Sequence, residues 1–140
     1  MRFTRPALVA LLTLATGSEA LAQADVVMAP RSRQPALLEA YTAYIGHDDL
    51  FNSSGVRLTR PAAILRQDRA NVHAYGLRQR GDQGDAFFAS QGNRAALEGM
   101  LSAGRMAPAA ARAIVDGGAV VRVEVWGRGS VGDYIHVEVY

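Results

Sequence analysis

The stretch from residue 119 to residue 140 constrains the fold more than any other part of the chain. "AVVRVEVW" (119–126) and "DYIHVEVY" (133–140) alternate apolar and polar residues without a break. A strict period of two marks a strand with one face buried and the other solvated. Two such strands joined by a short Gly-rich link make an antiparallel hairpin. Burial then fixes the register. Val121, Val123 and Val125 must share a face with Ile135, Val137 and Val139, because a slip of one residue would turn either set into water. That register puts Trp126 opposite Tyr134, Glu124 opposite His136 and Arg122 opposite Glu138, and both charged pairs are complementary.

The link, "GRGSVG" (127–132), spells G-x-G-x-x-G. A dinucleotide fingerprint needs a strand before it and a helix after it. Here a strand follows, so the motif reads as a hairpin loop.

Upstream the periodicity is helical. From Pro35, residues Leu37, Leu38, Tyr41, Tyr44 and Ile45 recur at helical spacing up to Gly46, which predicts a first helix, with a strand over 40–45 as the fallback. Residues 47–58 read as a loop or small hairpin around Asn52-Ser53-Ser54-Gly55. A second helix is expected from Pro61 to Tyr75, with Gly76 as a left-handed cap. A polar connection, 77–85, leads to Phe87, Phe88 and a third helix at 92–103 with Leu97, Met100 and Leu101 inward, stopped by Gly104. A fourth opens at Pro108, carries Ala111, Ile114 and Val115 inward, and ends at Gly117-Gly118. The short link between the last two implies an antiparallel helical pair. The fold class expected is α+β: three to four short helices packed on a small antiparallel sheet that includes the C-terminal hairpin.

Residues 1–24 have the layout of a secretory signal peptide. Arg2 and Arg5 precede the apolar run "PALVALLTLATG", and small residues follow that permit cleavage after Ala22 or Ala24. The run is shorter than the roughly 20 apolar residues a membrane span needs. The domain organisation expected is therefore a signal peptide at 1–24, a linker at 25–34 and one small domain at 35–140, with the product periplasmic or secreted. There is no cysteine, which excludes disulfides and thiolate zinc ligation. All fifteen basic residues are arginine, set against thirteen acids. Arg2, Arg5 and Glu19 belong to the leader, so the rest is nearly balanced, and its charges are scattered. Nucleic-acid binders usually concentrate a basic stripe, so no nucleic-acid partner is expected.

The second helix raises the sharpest question. Asp68 interrupts an apolar stripe of Ile64, Leu65, Val72 and Tyr75. An unpaired buried carboxylate is too costly for a small domain, so Asp68 must be hydrogen-bonded or paired. The reading adopted is a structural polar staple: Asp68 grips main-chain donors of the 47–55 loop, with Arg57 or Arg69 as possible counter-charges. The competing reading makes Asp68 a catalytic acid served by His47 or His73. Asp68 and His73 lie five apart, roughly 140° round a helix, which argues against a Ser54–His73–Asp68 triad.

Two binding surfaces are suggested. Arg66, Arg69 and His73 form a strip on the same helix suited to anions. The outer face of the final hairpin gathers Arg122, Trp126, Tyr134 and His136, with Glu124, Glu138 and Tyr140, and such residue types anchor interfaces. His47, Asp48 and Asp49 are the one tight group of metal-type ligands, but adjacent side chains rarely converge on an ion, so no metal site is assigned. A calcium loop through Asp82 and Asp85 lacks the alternating ligand spacing, and turn hydrogen bonds explain those acids more simply. The function expected is an exported binding or interaction module without catalytic activity or cofactor. Its partner would be a protein or a small anionic ligand of the cell envelope. The alternative is a small envelope hydrolase using Asp68 with a histidine.

Overall fold

A computed structural model describes residues 34–140; the expected signal peptide at 1–24 and residues 25–33 of the expected linker lie outside them. The hairpin pairs as burial requires. Strand β3 (Ala119–Arg128) meets β4 (Val131–Val139) antiparallel, with Val121 opposite Val139, Val123 opposite Val137 and Val125 opposite Ile135. On the other face Arg122 lies opposite Glu138, Glu124 opposite His136 and Trp126 opposite Tyr134.

The first element is a strand, not a helix. Strand β1 (Ala36–Ile45) pairs antiparallel with β3. Its helical spacing is the product of a β-bulge. The register shifts between Leu37 and Glu39, so Leu38 is the extra residue and the alternation changes phase there. Beyond the bulge the period of two is clean: Tyr41, Ala43 and Ile45 are fully buried while Thr42 and Tyr44 face the other way. Pairing along a whole strand of β3 outweighs the weak helical preference of Ala, Leu and Glu.

Helix α1 (Pro61–Ala74) starts on proline, is capped by Tyr75, and is followed by Gly76 at φ +68°, as the sequence predicts. Helix α2 (Gln91–Ala103) begins at a Ser90 cap that accepts from the Asn93 amide. After it the chain does not simply turn into another helix. Residues Arg105–Met106 form β2, a short strand parallel to β4, and only then comes α3 (Pro108–Asp116). The sheet order is β1-β3-β4-β2, so the sheet is mixed rather than purely antiparallel. The expected pairing of the last two helices gives way to α1 packed on α2, with α2 against β4 and α3 against α1, β3 and β4. Gly104 makes the tight passage possible, because a Cβ there would overlap the Ile135 carbonyl oxygen.

All three helices lie over one face of the sheet. The core joins Tyr41, Ile45, Val121, Val123, Val125, Ile135 and Val137 from the strands to Ile64, Leu65, Phe88, Leu97, Met100 and Ile114 from the helical layer. The outward edge of β1 is closed by the connection before α2. Thr42 exchanges hydrogen bonds with Gln83, and the Tyr44 amide donates to Asp82. Covering an edge in this way removes a template for unwanted strand pairing. No described helix is long and apolar enough to cross a membrane.

Candidate functional site

Asp68 faces inward with a side chain 1% exposed, but its partner is not the 47–55 loop. Arg69, the next residue, is itself fully buried. Its Nε donates to Asp68 Oδ2 at 2.7 Å and its Nη2 to Oδ1 at 3.3 Å. Arg69 Nη1 turns to the connection after α1, donating to Asp85 Oδ2 at 2.8 Å and to the Gln83 carbonyl at 3.1 Å. The guanidinium carbon stands 4.1 Å from the centre of the Tyr41 ring, a cation–π contact. His73 Nε2 reaches the same Asp85 oxygen at 2.8 Å, while the Phe88 amide donates to Asp85 Oδ1. One arginine thus ties α1 to β1 and to the loop carrying Asp85.

A second buried acid, Asp49, is held by one main-chain amide and two side-chain amides. Its carboxylate accepts from the Gly46 amide at 2.9 Å, from Asn71 Nδ2 at 2.8 Å and from Gln79 Nε2 at 2.7 Å. Asn71 also donates to the Asp48 carbonyl, so Asn71 and Asp49 fasten the 47–55 segment to α1. The poor helix propensity of asparagine marks Asn71 in the sequence as a residue kept for a polar contact. Asp85 carries no such mark; it looks like any acid in a Gly- and Asp-rich turn.

Burial sets the protonation of these groups. It pushes Asp68 up to about 7 despite the charge and hydrogen bonds of Arg69. It raises Asp49 too, against the hydrogen bonds from Gly46 and Asn71. For Asp85 burial acts upward as well, but hydrogen bonds from His73, Arg69 and the Phe88 amide outweigh it and hold the carboxyl below its usual value.

The helical strip is therefore broken up. Arg66 is exposed, Arg69 is interior, and His73, 12% exposed at its side chain, is drawn to Asp85. Asp68 touches neither His73 nor His47. His47 and Asp48 are exposed and 3.6 Å apart, whereas Asp49 turns inward. Among the described residues no group of three or more His, Asp or Glu side chains is placed to hold a metal ion.

The other candidate surface is intact. The sheet face away from the helices presents Trp126, Tyr134 and His136 as one aromatic cluster. The Trp126 and Tyr134 rings are near-parallel, 10° between planes and 6.3 Å between centres, and His136 lies 5.0 Å from Tyr134. Glu124 is held at the edge of this cluster, accepting from Trp126 Nε1 at 3.4 Å and from Arg122 Nε at 3.1 Å. The side chains of Arg122 and Glu124 keep 38% and 29% of their exposure. Leu37, opposite Trp126 on β1, is 46% exposed, and Tyr140 is 74% exposed. Arg105 of β2 pairs with His136 and so shares its face. What these features define is a two-layer α+β module with helices on one face of a four-stranded sheet and an aromatic, charge-studded second face. Comparison with known families, curated proteins and solved structures gives no match for the chain.

Proposed function

We propose that this chain is an exported, non-catalytic binding module whose ligand surface is the outer face of the β3–β4 hairpin. The observation that carries the reading is the Trp126–Tyr134–His136 cluster standing on the face opposite the helices. Aromatic side chains set on strands bind at low entropic cost, because the backbone already holds them in place. Export to the periplasm or beyond rests on the leader-like residues 1–24.

The strip of Arg66, Arg69 and His73 is a poorer ligand surface, since Arg69 and His73 already share the Asp85 carboxylate. A hydrolase built on Asp68 meets the same difficulty. Substrate has no route to a carboxylate that is 1% exposed and locked onto a guanidinium. The raised Asp68 titration follows from burial, and structural ion clusters perturb titration as readily as active sites do.

The test is retention of envelope components on immobilised protein. Wild type and Arg66→Ala should hold the same component, and Trp126→Ala should release it while its circular dichroism is unchanged. Loss with Arg66→Ala, or retention with Trp126→Ala, would remove the hairpin face from consideration.

A further inference from the structure

We infer that the hairpin face binds an uncharged glycan, with pyranose rings stacked on Trp126 and Tyr134; this rests on the binding-module reading above. The aromatic row does not stand alone. Successive rows on one sheet face lie about 7 Å apart along the strands. Next to the Trp126–Tyr134 row come Glu124, His136 and Arg105, and after them Arg122 and Glu138. A groove of about 590 Å³ continues from His136 past Arg105 and Glu138 at the β2 edge. Aromatic rings leading into a groove of mixed lining, where Arg105, His136 and Glu138 stand beside Met106 and Val137, suit an extended ligand rather than a single ring.

Charge selects the ligand class. Arg105 and Arg122 are matched by Glu138 and Glu124, so the face offers donors and acceptors without a net field. Single-stranded nucleic acid is bound by stacking rings together with a positive track for phosphates, and no such track runs here. A protein interface puts its apolar centre inside a polar rim. Here the Arg122–Glu124 pair is joined through Trp126 Nε1 directly to the rings. A neutral sugar meets each demand. Its C–H face carries slight positive charge toward the negative faces of the rings, and its edge hydroxyls both donate and accept. The fixed carboxylate of Glu124 and the remaining N–H groups of Arg122 border the rings and offer such hydroxyls an acceptor and donors.

Trp126 is the one tryptophan in the chain, so its emission reports on the platform directly. Purified protein is titrated with neutral hexasaccharides of β-1,4-glucose, β-1,4-N-acetylglucosamine and α-1,4-glucose. Oligothymidylate and vesicles of phosphatidylglycerol with phosphatidylcholine serve as contrasting probes. At least one glycan should shift the emission saturably. Tyr134→Ala and Glu124→Gln should each weaken that binding about tenfold, with the thermal transition of both variants intact. Silence of all three glycans, or glycan binding that ignores Tyr134, overturns the inference. If oligothymidylate or vesicles act through Trp126 and Tyr134 while glycans do not, the sugar assignment falls and the hairpin face remains the binding surface. If no probe and no envelope component depends on Trp126, both fall together.

Discussion

Arg69 makes four side-chain hydrogen bonds, two to Asp68 on α1 and two that join the helix to the connection after it. Its guanidinium hydrogen-bonds both Asp68 and Asp85 inside the fold and lies against Tyr41. Removing one partner of a buried ion cluster typically costs about 3–5 kcal/mol, because charge is left without compensation. Arg69→Met should therefore lower the melting temperature by roughly 10 °C or more, measured by calorimetry at pH 7. A shift of only a degree or two would mean the cluster contributes little. Asp68 gives a pH signature with a definite sign. Unfolded, it titrates near 3.8; folded, near 7. Between those values the folded chain keeps a proton that the unfolded chain has lost, so stability falls as pH rises from about 4 to 7. The span corresponds to on the order of 4 kcal/mol. Asp85, held low, acts oppositely: its contribution is present above its ordinary value and is lost as pH falls below it. Asp68→Asn should flatten the decline between pH 4 and 7, measured as unfolding free energy in urea. A slope equal to that of wild type would show that Asp68 does not titrate in this window. The inward turn of Asp68 is legible from the stripe it interrupts. The burial of Arg69 is not, because a residue 100° further round the helix is ordinarily solvated. It is enclosed here because α1 is covered on several sides at once, by β1, by α2 and by the connection that carries Asp85.

Among the elements, the β3–β4 hairpin could be read as far as the Trp126–Tyr134 pair, since two alternating patterns had to match. The bulge after Trp126 and the pairs Gly127–Gly132 and Arg128–Val131 fall in the stretch that reads as a loop. Strand β1 could not be read in this way. A single bulge at Leu38 converts a period of two into something close to a helical spacing, and nothing in the local sequence shows where the phase changes. Strand β2 is too short to have a period, and its place beside β4 depends on Gly104. Gly104→Ala should destabilise the protein by about 1–3 kcal/mol, the usual range for forced overpacking, and should speed hydrogen exchange at the Arg105 and Met106 amides. Unchanged exchange there would show that the close approach to Ile135 is not needed for β2 to form. Asp82 offers a parallel case at the opposite edge. It accepts from the Tyr44 and Gln79 amides, so Asp82→Ala should expose the Tyr44 amide to exchange and leave β4 protected.

At the scale of the whole molecule, polar residues are divided between two jobs. Those between the helices and the sheet, Asp49, Asp68, Arg69, Asn71 and Asp85, satisfy one another and hold the layers together. Those on the far face of the sheet, Arg105, Arg122, Glu124 and Glu138, surround three aromatic rings instead of a core. Both the binding-module reading and the glycan assignment need that far face to be open in the full chain. Quenching of Trp126 emission by acrylamide, a neutral probe, tests this most directly. The folded protein should be quenched with a substantial fraction of the efficiency seen for the same chain in urea. Emission that acrylamide cannot reach until the chain unfolds would mean the face is covered, and the ligand surface proposed for it would not exist.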